Sequence, residues 1–171
     1  MRIKMTYFSA YLMLVVAQVL ICNYFHLSAF VMLSILPVMV LCIPIRYSTP
    51  VALCIAFATG WVVDVFAEGV WGLNILSLVP VAFVRRTVIQ AIFGEDLFAR
   101  KEDFSIRRNG FGKVSLAVVV VQALFLVIYI AADGAGTRPF WFNILRFVCS
   151  LAAGYLMSML IADTLAPESR K

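Results

Sequence analysis

Apolar residues follow one another in six long runs along this chain, and short polar stretches separate most of them. We place the runs at about 7–25, 29–45, 51–67, 70–84, 114–132 and 140–162. An α-helix rises about 1.5 Å per residue, so runs of this length approach or match the roughly 30 Å hydrocarbon core of a bilayer. The pattern therefore predicts six transmembrane helices.

The long polar stretch at residues 85–113 lies between the fourth and fifth runs, and it mixes basic with acidic residues. The spacing of Leu97, Phe98, Lys101 and Phe104 is compatible with an amphipathic helix at the membrane surface. A solvated charged loop is an equally open interpretation. The fourth helix can also continue through residues 87–93 if the side chains of the preceding arginines extend to the interface.

The basic residues predict the orientation of the chain. With six spans and a cytoplasmic N-terminus, the cytoplasmic side holds all of the 14 Lys and Arg residues except Arg138, which lies outside, and Arg146, which lies within the membrane. Twelve against one is a strong positive-inside bias. We expect both termini and the basic loop at 85–113 to be cytoplasmic.

Composition supports the same fold class. Of the 171 residues, 64% are hydrophobic and 13% are charged, whereas a soluble domain is nearer half apolar and a quarter charged. We expect an all-α integral membrane protein with one transmembrane domain over residues 1–171. The net charge of +5 is explained by topology, so it does not indicate a nucleic-acid partner.

Two charged residues stand inside apolar runs, and their depths match. In the predicted topology, Asp64 and Arg146 both lie in the outer third of the membrane. A charge in hydrocarbon is costly unless it is paired or hydrated, so an Asp64–Arg146 ion pair is one prediction. Exposure of both charges to water at the outer interface, and contact with a ligand or partner, remain open.

The sequence carries no recognisable catalytic signature. It lacks the HExxH, GxSxG and phosphate-binding glycine motifs, its one histidine (His26) stands at a helix end, and its cysteines show no CxxC spacing. We expect a non-enzymatic protein with no catalytic residues, no bound metal and no cofactor.

Four short motifs resemble a known family. They are Gln18-Val19-Leu20 with Asn23, Gly60-x3-Asp64-x-Phe66, Gly72-Leu73-Asn74 and Ala82-Phe83-x-Arg85. In this order, with the length and the six spans, the chain resembles the MreD family of rod shape-determining membrane proteins over most of its length. It departs from that family at Arg86, since members often carry Arg-Pro after the fourth span.

The resemblance implies a function. MreD-like proteins are multi-pass components of the bacterial inner membrane within the elongation machinery, or elongasome. They bind an MreC-like membrane protein and help to couple MreB filaments to peptidoglycan synthases, which maintains cell shape. Residue by residue, the resemblance assigns partner binding to five positions of this chain: Asp64, Gly72, Leu73, Asn74 and Arg85.

A second function from another class shares the implied fold, which is similar to the membrane substrate-capture component of energy-coupling-factor vitamin transporters. Fold cannot decide between the two functions. The predicted outer loops at 26–28 and 68–69 are very short, so they offer little material for a lid over a vitamin. This favours the scaffold over the transporter component.

Overall fold

The computed structural model describes residues 2–24, 31–45, 47–68, 71–94, 110–134 and 138–165. Within these ranges the chain forms α-helices and no β-strand. They are α1 (Arg2–Tyr24), α2 (Leu36–Leu41), α3 (Thr49–Val63), α4 (Leu73–Phe93), α5 (Phe111–Gly134) and α6 (Phe140–Leu165). A π-helical turn, Asp64–Glu68, extends α3 at its C-terminal end.

Four helical stretches of the described residues are long and apolar enough to cross a membrane. They are Thr49–Ala67, Leu73–Phe93, Phe111–Gly134 and Phe140–Ala162, and Phe8–Tyr24 is a shorter apolar helix. The predicted class is therefore confirmed at the level of an all-helical, multi-pass membrane protein.

Of the two ends left open for the fourth helix, at residue 84 or after residues 87–93, the structure has the second. The sequence from 85 to 93 contains no helix-breaking residue, so α4 continues to Phe93 and stops at Gly94, whose φ of 78° favours glycine. Arg85 and Arg86 therefore belong to a helix and not to a loop. Residues 95–109, on which the amphipathic-helix and charged-loop interpretations depend, lie outside the described residues, as does His26.

The predicted continuous helix over 29–45 is wrong. Residues 32–35 are not helical, α2 is only six residues long, and the chain turns again after it. Pro37 stands in the first turn of α2, where its missing N–H group is not needed. This proline therefore begins a short helix.

The interrupted segment, residues 31–45, runs back between two parallel helices. Asn23 near the C-terminal end of α1 donates a hydrogen bond to the carbonyl oxygen of Phe66, just after α3, at 3.0 Å. Tyr11 and Thr59 are joined at 3.0 Å nearer the middle of the same helices. Because α1 and α3 end together, the chain between them must return in the opposite direction.

This segment lies in the centre of the bundle. Its residues from Ser34 to Pro44 are buried, and the side chains of Leu36, Met39 and Leu41 are fully enclosed. A non-helical backbone at membrane depth is tolerated only where protein groups satisfy its N–H and C=O groups. The neighbouring helices must therefore supply polar side chains.

Gln18 of α1 supplies both a donor and an acceptor at the start of the segment. Its amide nitrogen donates to the carbonyl oxygen of Leu33 at 3.1 Å, and its amide oxygen accepts the N–H of Ile35 at 2.8 Å. One side chain thus replaces two of the backbone hydrogen bonds that a continuous helix would have made.

Two further helices form hydrogen bonds with the backbone at the same end of the segment. The Gln122 amide of α5 donates to the carbonyl oxygen of Ser34 at 3.1 Å, and the Ser150 hydroxyl of α6 accepts the N–H of Met32 at 2.9 Å. Gly154, one turn beyond Ser150, leaves room for the Gln122 side chain, because a Cβ there would collide with its amide group.

Arg85 of α4 satisfies the other end of the segment. Its Nε donates to the carbonyl oxygen of Leu41 at 3.2 Å, and its guanidinium also donates to the carbonyl oxygen of Ile43. The side chain is 6% exposed. A cation is also favourable at the C-terminal end of a helix, here α2, where carbonyl groups lack helical partners. The positive charge of Arg85 therefore stabilises the interior of the bundle.

Replacing Arg85 by methionine is expected to destabilise the bundle strongly. The substitution leaves buried carbonyl groups without a donor, and we expect the free energy of unfolding to fall by about 2–4 kcal/mol. Unfolding in detergent micelles measures the effect. The exposed neighbour Arg86 provides the matched control, and Arg86→Met should change stability by less than about 0.5 kcal/mol. Equal effects of the two substitutions would contradict the assignment.

Candidate functional site

The carboxylate of Asp64 lies at the junction of α3 and α4, where it is 1% exposed. Its Oδ2 accepts the N–H groups of Gly72 at 3.0 Å and Ile75 at 3.3 Å. Its Oδ1 accepts both the backbone N–H and the side-chain amide of Asn74, each at 2.9 Å. Both oxygens are therefore occupied.

These contacts make Asp64 a cap for a neighbouring helix. The first turn of α4 leaves its backbone N–H groups without helical partners, and a carboxylate satisfies them while interacting favourably with the positive end of the helix dipole. The acid that the hydropathy pattern singled out therefore stabilises the α3–α4 hairpin. Its burial follows from this role.

The predicted Asp64–Arg146 ion pair is wrong. Arg146 forms its ion pair with Asp133 at the C-terminal end of α5, and Arg138 contacts the same carboxylate oxygen at 3.3 Å. Asp64 belongs to another hairpin, and the N-terminus of α4 already occupies it. Matching depth did not distinguish the two aspartates. The position of Asp133 at the turn of the hairpin that contains Arg146 was the available signal for the correct partner.

Four of the five residues assigned by the resemblance come together. Asp64, Gly72, Leu73 and Asn74 form one cluster, in which Gly72 adopts a φ of 98° before the first residue of α4 and Leu73 packs against the core. Arg85 lies eleven residues after Asn74, about 16 Å farther along the helix axis. The structure separates Arg85 from this cluster and places it against the interrupted segment.

Close backbone packing holds the cluster together. A Cβ at Gly60 of α3 would lie 2.9 Å from the backbone nitrogen of Ile75 and 3.1 Å from the carbonyl carbon of Asn74. The two helices therefore touch at a small residue, as is common between membrane helices. This approach brings the Asp64 carboxylate to the first turn of α4.

Large aromatic side chains surround the cluster on the outside. Phe66 and Trp71 are 64% and 75% exposed, and Trp61 is about half exposed. We call these three residues the aromatic rim. Aromatic side chains are enriched both at membrane interfaces and in protein interfaces, so the rim is suited to contact with lipid or with a partner helix. The exposure of these three side chains follows from the tertiary structure, and the sequence pattern alone did not single them out as a set.

Gly60→Ala is expected to weaken the hairpin. The new methyl group meets backbone atoms that cannot rotate away, and we expect a loss of about 1–3 kcal/mol in the free energy of unfolding. The matched control is Gly112→Ala, since Gly112 is also helical and a Cβ there meets nothing within 4 Å. If both substitutions leave unfolding in micelles unchanged, the close contact of α3 and α4 is refuted.

A double-mutant cycle tests the reassigned ion pair. We expect Asp133→Asn and Arg146→Gln to be non-additive in the free energy of unfolding, because the two side chains are in contact. Asp64→Asn and Arg146→Gln should be additive within about 0.5 kcal/mol, because they belong to separate hydrogen-bond groups. Strong coupling in the second cycle, with none in the first, would restore the original pairing.

Comparisons with protein-family models, curated proteins and solved structures found no match for this chain. The residues and their geometry are therefore the basis for assigning a function.

Proposed function

We propose that this chain is a non-enzymatic scaffold of the bacterial rod elongation complex, the elongasome. It crosses the inner membrane six times with both termini in the cytoplasm. It binds an MreC-like membrane protein and couples MreB filaments to peptidoglycan synthesis, and so maintains cell shape. The starting point of the proposal is the resemblance of its motifs to the MreD family.

The observation that carries the proposal is the division of the α3–α4 hairpin into a polar interior and an apolar exterior. Asp64 and the N-terminus of α4 satisfy each other, so the polar part of the motif rigidifies the hairpin. The aromatic rim, in contrast, projects from it. A rigid element that presents aromatic anchors is suited to binding a partner helix, since such anchors dominate interface energetics.

The same arrangement supports a scaffold over a catalyst. A general base or nucleophile must be able to reach a substrate, whereas both Asp64 oxygens are engaged with backbone and amide groups.

One observation favours substrate capture as the second candidate function. The amide oxygen of Asn74 is buried and has no hydrogen-bond partner. In a substrate-capture component related to vitamin uptake, this oxygen would accept a hydrogen bond from the bound molecule. The crosslinking experiment below distinguishes the two functions.

In-cell crosslinking tests the scaffold. A photoreactive residue in place of Phe66 or Trp71 should capture an MreC-like protein or a peptidoglycan synthase, because these side chains project from the hairpin. Trp141, which is 78% exposed at the start of α6, is the matched control position and should not capture the same protein. Captured proteins are identified by mass spectrometry.

The result separates the candidate functions. Capture of an ATPase-linked transporter subunit from position 66 or 71 would replace the scaffold with substrate uptake. Equal capture of the MreC-like protein from the control position would remove the aromatic rim as its binding surface.

A further inference from the structure

The outer end of the α5–α6 hairpin carries more positive than negative charge. Arg138 and Arg146 both bind the same oxygen, Oδ2, of Asp133. We call these three side chains the arginine corner. Two guanidinium groups and one carboxylate leave a formal charge of +1. The C-terminus of α5 and the N-terminus of α6 meet here, and their helix dipoles have opposite signs and offset each other. The formal charges of the side chains therefore determine the net charge of the corner.

The geometry leaves part of this charge available. The Arg138 side chain is 38% exposed, and its guanidinium lies over the ring of Phe142, 5.5 Å from the ring centre. Arg146 is 12% exposed, and its Nε is buried without a hydrogen-bond partner. Asp133 therefore engages both arginines without using all of their donors.

The position of the corner identifies the kind of ligand. It lies on the side of the membrane that the charge pattern predicts to be almost free of basic residues, so it has no role in the positive-inside bias. Two large exposed aromatic residues, Phe140 and Trp141, stand between Arg138 and Arg146 in the chain, at the start of α6. Aromatic side chains in such positions mark the level of the lipid headgroups.

We infer that the arginine corner binds the phosphate of an anionic phospholipid in the outer leaflet. A guanidinium offers paired donors that match phosphate oxygens. The exposed Phe140 and Trp141 side chains would contact the glycerol and the upper acyl chain. A phospholipid satisfies both parts of this surface, whereas a free anion would use only the charged part.

The full-length chain, purified in detergent, is offered equal amounts of phosphatidylglycerol and phosphatidylcholine, and native mass spectrometry measures the ratio of retained lipids. We expect preferential retention of phosphatidylglycerol. Arg138→Gln should lower that preference about fivefold, as expected for the loss of one cation near a headgroup. Lys113→Gln, which removes an exposed cation near the start of α5, is the control and should leave the ratio unchanged.

Asp133→Asn separates lipid binding from a purely structural role. The substitution weakens both ion pairs and lowers thermal stability on either interpretation. If the corner binds phosphate, the preference for phosphatidylglycerol should nevertheless rise, because the competing carboxylate is gone. If the ion pairs only stabilise the hairpin, Asp133→Asn should lower thermal stability without raising the preference for phosphatidylglycerol.

Three results would overturn the inference. The first is an unchanged lipid ratio in Arg138→Gln while its melting temperature stays at the wild-type value. The second is an equal loss of preference in Lys113→Gln. The third is stabilisation of the wild-type chain by inorganic phosphate to the same extent as by phosphatidylglycerol, which would assign the corner to a free anion.

Discussion

The fold depends on satisfying the backbone of a segment that is buried but not continuously helical. An unpaired peptide group in an apolar interior costs several kcal/mol, and the interrupted segment breaks the helical hydrogen-bond pattern on both sides of α2. Four other helices each provide a side chain that forms hydrogen bonds with this backbone: Gln18, Arg85, Gln122 and Ser150. Because lipid tails are as apolar as leucine, such specific polar contacts define the helix arrangement better than apolar burial does.

The α3–α4 hairpin obeys the same rule. Asp64 is a charge in an apolar run, and such a residue is a functional candidate by default. Here it completes the first turn of α4, helped by a glycine contact that lets α3 approach. The polar residues of the motif therefore build a rigid support. The proposed partner surface is the aromatic rim around that support.

The two proposed binding surfaces differ in the origin of their specificity. The aromatic rim presents apolar area from a hairpin whose charges are internally satisfied. The arginine corner presents surplus charge, because two arginines share the single carboxylate of Asp133. In the topology that the charge pattern predicts, both surfaces lie on the outer side of the membrane. A protein partner and a lipid headgroup could then be bound by the same molecule without competition.

Hydropathy alone determined the helical membrane class and located five of the six helices. Four of these five are long and apolar enough to cross a bilayer, and the fifth is a shorter apolar helix. Hydropathy did not reveal the interruption within 29–45, since a buried extended backbone and a buried helix are equally apolar there. Likewise, the predicted membrane depth of the charged residues could not show that Arg146 pairs with Asp133 and not with Asp64. Only the tertiary structure decided these points, because each depends on which backbone or charged group a neighbouring helix brings within hydrogen-bonding distance.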